Sequence, residues 1–331
     1  MQKIEKLRVL LEEEGVCAAG IARATTVDET EWQHFLRWLS EGKHAGMHYM
    51  ENHQETRKDP RRLLSGTKSI ISVAFNYRQR EAVKGIASYA LGEDYHNVLR
   101  ERLCRVVEQL SRFYGGKYRI CIDSAPILER YWAVKCGIGS RSPLHGNIVV
   151  NGIGSMVFLA EILTTMEFEA AAYGKAFLLP EKPESIAGES MMANPCPTGA
   201  LCKGGIVDSG RCINYLTIEH RGNWSPEEIE LMSLPGARDA VFGCDICQRT
   251  DMSNLSSEPA IIPEFRRNPH LEEFISSLRE EVETGRPSKP IKGFSLRKSP
   301  LGRTGRKGLM RNITREKKLT ENCQETPDKS Q

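Results

Sequence analysis

Near residue 180 the sequence changes character, and this limits the fold more than any other feature. Up to that point apolar residues recur at helical or strand spacing. Beyond it Pro180, Pro183, Pro195, Pro197 and a series of glycines break the periodicity through Gly210. In the first part the spacing predicts helices at about 2–14, 29–41, 98–114 and 127–136. Strands are expected at Cys17–Ala22, Ser69–Phe75, Tyr118–Ile122, Ile148–Val150 and Phe177–Leu179. The fold class expected there is α/β. The broken stretch has little apolar core of its own, as in segments organised around a bound cofactor. Further helices are expected at about 225–234 and 269–283.

Composition narrows the class. Mean hydropathy is -0.42, and no apolar run approaches the roughly 20 residues that a membrane helix needs. The longest candidate, Met156–Leu163, is interrupted by Glu161. The N-terminal residues form an amphipathic helix pattern and not a signal peptide, so a cytoplasmic protein without a membrane partner is expected. Charge is uneven: between Arg286 and Lys318 there are 12 Lys or Arg and one acid, Glu316, in a chain whose net charge is only +3. Such a segment reads either as a polyanion-binding element, with nucleic acid as the natural partner, or as a solvated tail.

Cysteine supplies the chemistry. There are 10, more than a chain in a reducing compartment needs for packing. Cys244-Asp-Ile-Cys247 is a C-x-x-C pair, which lets one turn of chain put two thiolates on one metal or cluster. Cys196-Pro197 is of the kind that closes a ferredoxin loop, and Cys212 is a possible fourth ligand. Four thiolates can hold an iron–sulfur cluster or a structural zinc, and the ligand types alone do not separate the two.

At this point the sequence resembles the cobalamin-dependent epoxyqueuosine reductases. The resemblance runs through His44-Ala-Gly-Met-His-Tyr49, Arg57-Lys-Asp-Pro-Arg61, Tyr89-Ala-Leu-Gly-Glu-Asp-Tyr-His96, Asp123-Ser-Ala-Pro-Ile-Leu-Glu-Arg130, Cys212–Glu219, Gly243–Gln248 and Ser299–Asn312. It implies an N-terminal cobalamin-binding α/β domain (1–180), a ferredoxin-like iron–sulfur domain (181–255), and a C-terminal helix with a basic tRNA-binding tail (256–331). It also implies reduction of the epoxide of epoxyqueuosine in tRNA to queuosine, an external low-potential electron donor, and a monomer.

The same resemblance implies eight cluster ligands, and this chain departs from that pattern. One cluster's positions fall on Ile186, Glu189, Met192 and Asp251, none of them cysteine. The other's fall on Cys196, Cys212, Cys244 and Cys247, all present. One [4Fe–4S] cluster is therefore expected beside cobalamin. A second departure is Ser140–Gly146, which lacks the tryptophan and lysine that the family usually has in this loop. Asp123 matches the catalytic acid, which would need a raised pKa from burial beside the corrin; its bland alternative is a helix N-cap. Tyr89, Asp94, Tyr95 and His96 are candidates for lining the cofactor or substrate pocket, and Arg130 for a phosphate. Arg297, Lys298, Arg303, Arg306, Lys307 and Arg311 are candidates for tRNA phosphates. Two other readings stay open: a cobalamin-dependent reductase of a non-tRNA substrate, and a non-catalytic tRNA- or cobalamin-binding paralogue with structural zinc.

Overall fold

The computed structural model describes residues 2–180, 194–254 and 258–324, with side chains as far as Arg315. Its centre is a five-stranded sheet of β1 (Ala18–Arg23), β2 (Ser69–Asn76), β3 (Tyr118–Cys121), β4 (Val157–Thr164) and β5 (Lys175–Leu178), in the order β3-β4-β2-β1-β5. Every pairing in it is antiparallel, with Ile71 opposite Ile21 on one side and Ile162 on the other. β2 is buried along nearly its whole length. Its Ile-Ile-Ser-Val-Ala-Phe run is apolar at both parities, as a strand covered on both faces requires.

Helices α1 (Gln2–Glu13) and α3 (Tyr95–Tyr114) cover one face. Leu7, Leu10 and Leu11 meet Leu99, Leu103, Val106 and Leu110 there, over Ile71, Val73 and Ile162. Helices α2 (Glu29–Ser40) and α4 (Glu129–Lys135) cover the other face through Trp32, Trp132 and Ala133, over Ile70, Ala74 and Leu163. Gly20 permits this second layer to close: a Cβ at that position would lie 1.9 Å from the Cys136 carbonyl oxygen at the end of α4.

Expected elements are recovered with some differences. Ile148–Val149 pairs with Ser140–Arg141 in a small hairpin outside the main sheet. Glu161 does not interrupt β4. It is fully buried in it, takes a hydrogen bond from Ser72 Oγ at 3.2 Å, and burial pushes its carboxyl well above the usual range.

The basic C-terminal stretch is also more than a tail. After α5 (Pro226–Ser233) and α6 (Leu271–Thr284) it forms α7 (Gly305–Gln324), whose Leu309 and Ile313 pack with Leu271, Ile275, Leu91 and Phe242 in a separate core. The apolar positions 309 and 313 are four apart and share a helix face, a signal outweighed in the sequence by the surrounding charge. Among the described residues no helix is long and apolar enough to cross a membrane.

Gly20→Ala should lower the unfolding free energy by about 1–3 kcal/mol, the usual cost of overpacking. Urea denaturation of the apo-protein measures it, and an unchanged midpoint would mean that α4 has room to shift.

Candidate functional site

Residue 94 begins the site. Asp94 is the N-cap of α3, and its Oδ1 accepts from the His96 backbone N–H at 3.0 Å and bonds His96 Nδ1 at 2.7 Å. The other ring nitrogen, Nε2, lies 3.1 Å from Asp123 Oδ2, and Tyr95 donates its hydroxyl to the same oxygen at 3.0 Å. Tyr95 is held between rings, stacked on His96 at 4.1 Å and on Phe158 at 4.3 Å, with Tyr89 edge-on at 6.3 Å. Four of the sequence-predicted residues, Asp94, Tyr95, His96 and Asp123, thus form one hydrogen-bonded group, with the partly buried Tyr89 packed against Tyr95.

The electrostatics of this group bear on one expectation. Burial opposes the charge on His96, but its bonds to Asp123 and Asp94 outweigh it and push the imidazole up to about 9. An imidazole bonded to a carboxylate at each nitrogen is a doubly protonated cation. Burial also acts to raise Asp123, yet the His96 bond and charge win and hold its carboxyl below the usual range. His96 therefore holds Asp123 as a carboxylate, and the raised pKa expected beside the corrin would have to overcome this contact. Asp123 is not a helix N-cap, since α4 is capped by Leu128. It lies two residues beyond β3 at φ +48°, a left-handed conformation unusual for a side-chain-bearing residue.

Asp123 keeps 64% of its side-chain surface open to water, although protein surrounds it closely enough for burial to be the largest influence on its pKa. Asp123 thus sits at an open surface with protein packed around its base. Glu129 and Arg130 belong to the same region. Burial, then the charge of Asp123, pushes Glu129 up to about 8. Arg130 feels both Asp123 and Cys212, so it lies near both.

Three segments bring the four cysteines together. Arg211 Nε donates to the Thr198 carbonyl at 2.9 Å, tying the Cys212 segment to that of Cys196. Asn214 Oδ1 accepts from Cys244 N at 2.8 Å, and Thr217 Oγ1 from Gly243 N at 2.9 Å. Asp245, buried between the paired cysteines, accepts from the backbone N–H and hydroxyl of Ser88, each at 2.7 Å, and so fixes this loop to the turn that carries Tyr89. Cys196 and Cys212 each influence the Cys247 thiol, Cys212 and Cys247 influence Cys244, and Cys196 influences Cys212. Burial pushes Cys244 and Cys247 up to about 12, so these sulfurs ionise only against a bound cation. No three of the four sulfurs lie within 4.8 Å of one another; among the described residues that condition is met by His44, His48 and Glu51. Both of those histidines already bond Glu51 Oε1, at 2.7 and 3.1 Å.

The two departures from the family pattern meet in space. His145, from the altered 140–146 loop, is buried with its Nε2 3.0 Å from Asp251 Oδ2, and its Nδ1 accepts from Asn147 N at 3.2 Å. The His145 bond, against an opposing effect of burial, holds the Asp251 carboxyl down at about 2. Ile186, Glu189 and Met192 lie outside the described residues.

Of the basic candidates, Arg297, Lys298, Arg303, Arg306 and Lys307 are exposed. The Lys298 carbonyl accepts from Asp94 N at 2.8 Å, which seats this segment directly behind the His96 cap. Arg303 pairs with Glu219 through two bonds of 2.7 and 2.9 Å, and Arg306 pairs with Glu281. Arg311 departs from expectation. Its guanidinium donates to the carbonyls of Leu216, His220 and Gly222, each at 3.0 Å, and lies 4.5 Å above the Trp224 ring. It closes α7 onto the 216–224 segment and faces no solvent phosphate. Sequence reasoning passed over Tyr49, Glu129, Glu219 and Asp245; each stood in a quoted motif, but nothing in an isolated side chain marked it.

A family model described as "Epoxyqueuosine reductase QueG, DUF1730" matches residues 57–124. Epoxyqueuosine reductase of Cyclobacterium marinum is 34% identical over 303 residues, covering 89% of this chain and 90% of the relative. That of Cellulophaga algicola is 33% identical over 306 residues, covering 90% and 93%. A crystal structure of epoxyqueuosine reductase with an epoxyqueuosine-modified tRNA-Tyr stem loop superposes with a TM-score of 0.76 at 25% identity, over 95% of this chain and 80% of that one. A Bacillus subtilis epoxyqueuosine reductase, its catalytic loop swung out of the active site, gives 0.76 and 25% over 98% and 83%.

His96 should titrate near pH 9 by NMR, and Asp94→Asn should bring it down toward the ordinary 6.5. The folded value lies above the unfolded one. The stabilisation it brings is therefore complete below about 6.5 and lost as pH rises through about 9. A wild-type midpoint below 7 would contradict the double carboxylate contact.

Proposed function

The chain belongs to the epoxyqueuosine reductase family, and we propose that it reduces the epoxide of epoxyqueuosine in tRNA to the cyclopentene of queuosine. The change consumes two electrons and two protons and releases the epoxide oxygen as water. One proton reaches the oxygen as the ring opens, and the second as that oxygen departs. The observation that carries this reading is the Asp94–His96–Asp123 chain, whose last carboxylate is open to solvent, backed by the exposed segment of Arg297 and Lys298.

His96 and Asp123 hold the proton jointly, with the imidazolium as its resting place and Asp123 as the group facing solvent. The two carboxylates keep His96 charged at neutral pH, and Tyr95 fixes the oxygen of Asp123 that His96 bonds. A substrate that covers this open surface displaces water and pushes Asp123 upward, so that proton transfer from His96 through Asp123 to the oxygen becomes easier. Both nitrogens of His96 are engaged by carboxylates, so it offers no free lone pair to a metal.

When bound, cobalamin and a [4Fe–4S] cluster supply the low-potential electrons, replenished by an external donor. Cys196, Cys212, Cys244 and Cys247 fit the cluster. They come from three segments, and Cys212, Cys244 and Cys247 each sense at least one of the other cysteines. Membership of the epoxyqueuosine reductase family favours a cluster over zinc at these residues, and hence the reductase over a zinc-bearing paralogue. The exposed Arg297, Lys298, Arg303, Arg306 and Lys307 favour tRNA over a small uncharged substrate.

In a queuosine-deficient deletion strain, the intact chain should restore queuosine in tRNA and Asp123→Asn should not; in vitro the variant should lose about 10²-fold or more in kcat. Nucleoside analysis decides, and failure of the loaded wild-type chain would sink the assignment. Anaerobic reconstitution should give one cluster's iron and sulfide per chain, with the absorbance lost in Cys212→Ala. Stoichiometric zinc in place of iron would return the paralogue reading.

A further inference from the structure

Tyr49 projects from a single turn, His48–Met50, whose backbone is anchored from below: the buried Arg57 donates to the carbonyls of Tyr49 and Asn52, both at 3.3 Å. The residue is 44% exposed. Arg303 comes from the other end of the chain and stands 5.9 Å from the ring centroid. Directly stacked pairs in the same molecule are closer, 4.2 Å for Arg23 on Tyr173 and 4.5 Å for Arg311 on Trp224. Arg303 therefore lies over one side of the ring at the long end of a cation–π contact, and its two bonds to Glu219 hold it there, leaving the rest of the ring open. The charge of Asp123 reaches both Tyr49 and Arg303, so the pair lies near that carboxylate.

Resting on the function proposed above, we propose that Tyr49 is a stacking platform for an unpaired anticodon-loop base next to the modified nucleotide, with Arg303 set for the adjoining phosphate. The physical need is specific. To bring its epoxide to Asp123, the modified nucleotide must leave the stack of the loop and approach the open side of that carboxylate. Its neighbour then loses a stacking partner. An exposed phenol ring nearby replaces that partner without demanding a particular base, because every base offers a π face. A guanidinium held by Glu219 at one side of the ring stays within reach of the backbone of a base stacked on the open part. Tyr49 thus acts on binding and register, and not on the reacting bond.

The test uses the full-length loaded protein and unmodified synthetic anticodon stem-loops carrying 2-aminopurine on one or the other side of the wobble guanosine. With the wild type, one of the two probes should be quenched on binding. Tyr49→Phe should keep the quenching and hold Kd within about twofold. Tyr49→Ala should bind about tenfold more weakly and leave the probe bright. Arg303→Gln should reduce the slope of log Kd against log salt by about one. Quenching that persists in Tyr49→Ala overturns the proposal. So does a loss of cobalamin loading in that variant with stem-loop binding intact, since the ring would then face the corrin. Wild-type binding without quenching of either probe sinks the platform and leaves the tRNA reading standing; no stem-loop binding at all sinks both.

Discussion

The site is organised by one imidazole held between two carboxylates. His96 can sit there only as a cation, and as a cation it fixes both neighbours: Asp94 as the cap that starts α3, and Asp123 in a left-handed conformation beyond β3. The helix start and the strand end are thereby joined by hydrogen bonds of 2.7 and 3.1 Å. Charge-assisted bonds of this kind are stronger than neutral ones, and they make the local geometry a condition of keeping a proton at hand. The same contact holds the proton near the open surface and keeps Asp123 from being an ordinary carboxylic acid.

The cysteine region follows a similar logic with less core. Its apolar support is small: Ile213, Leu216, Trp224 and Met232 pack beside Cys212 and Cys244. Side chains tying loop to loop make up for this, above all Asn214, Thr217 and Arg211, while Asp245 fastens the segment to Ser88. Where the family pattern has a further ligand this chain has Asp251, which is occupied by His145 from the altered 140–146 loop. The two departures are one substitution in physical terms, a buried polar pair spanning two segments.

The basic segment divides by use. Arg311, the candidate deepest in α7, spends its donors on three backbone carbonyls and its face on Trp224, and so helps to dock the helix. Arg303, earlier in the chain, is oriented by Glu219 near Asp123. Counting positive charges along a sequence cannot separate these roles, because both side chains carry the same charge and differ only in what lies within reach of it.

Periodicity by itself determined the helices and most of the strands, because burial on one or two faces imposes a repeat that can be read residue by residue: Leu99, Leu103, Val106 and Leu110 already lie on one side of a helix, and Ile70 to Phe75 already require cover on both sides. Motif spacing likewise singled out Cys244 with Cys247, and the family pattern singled out Asp123. Tertiary structure alone decided the rest. The protonation of Asp123 depends on His96, 27 residues away along the chain, and the fate of Arg311 on carbonyls 89 to 95 residues away. Local sequence sets which groups are present and their spacing along a helix or strand, whereas a pKa or the commitment of a side chain is set by neighbours within a few ångströms, and those are chosen only when the chain folds.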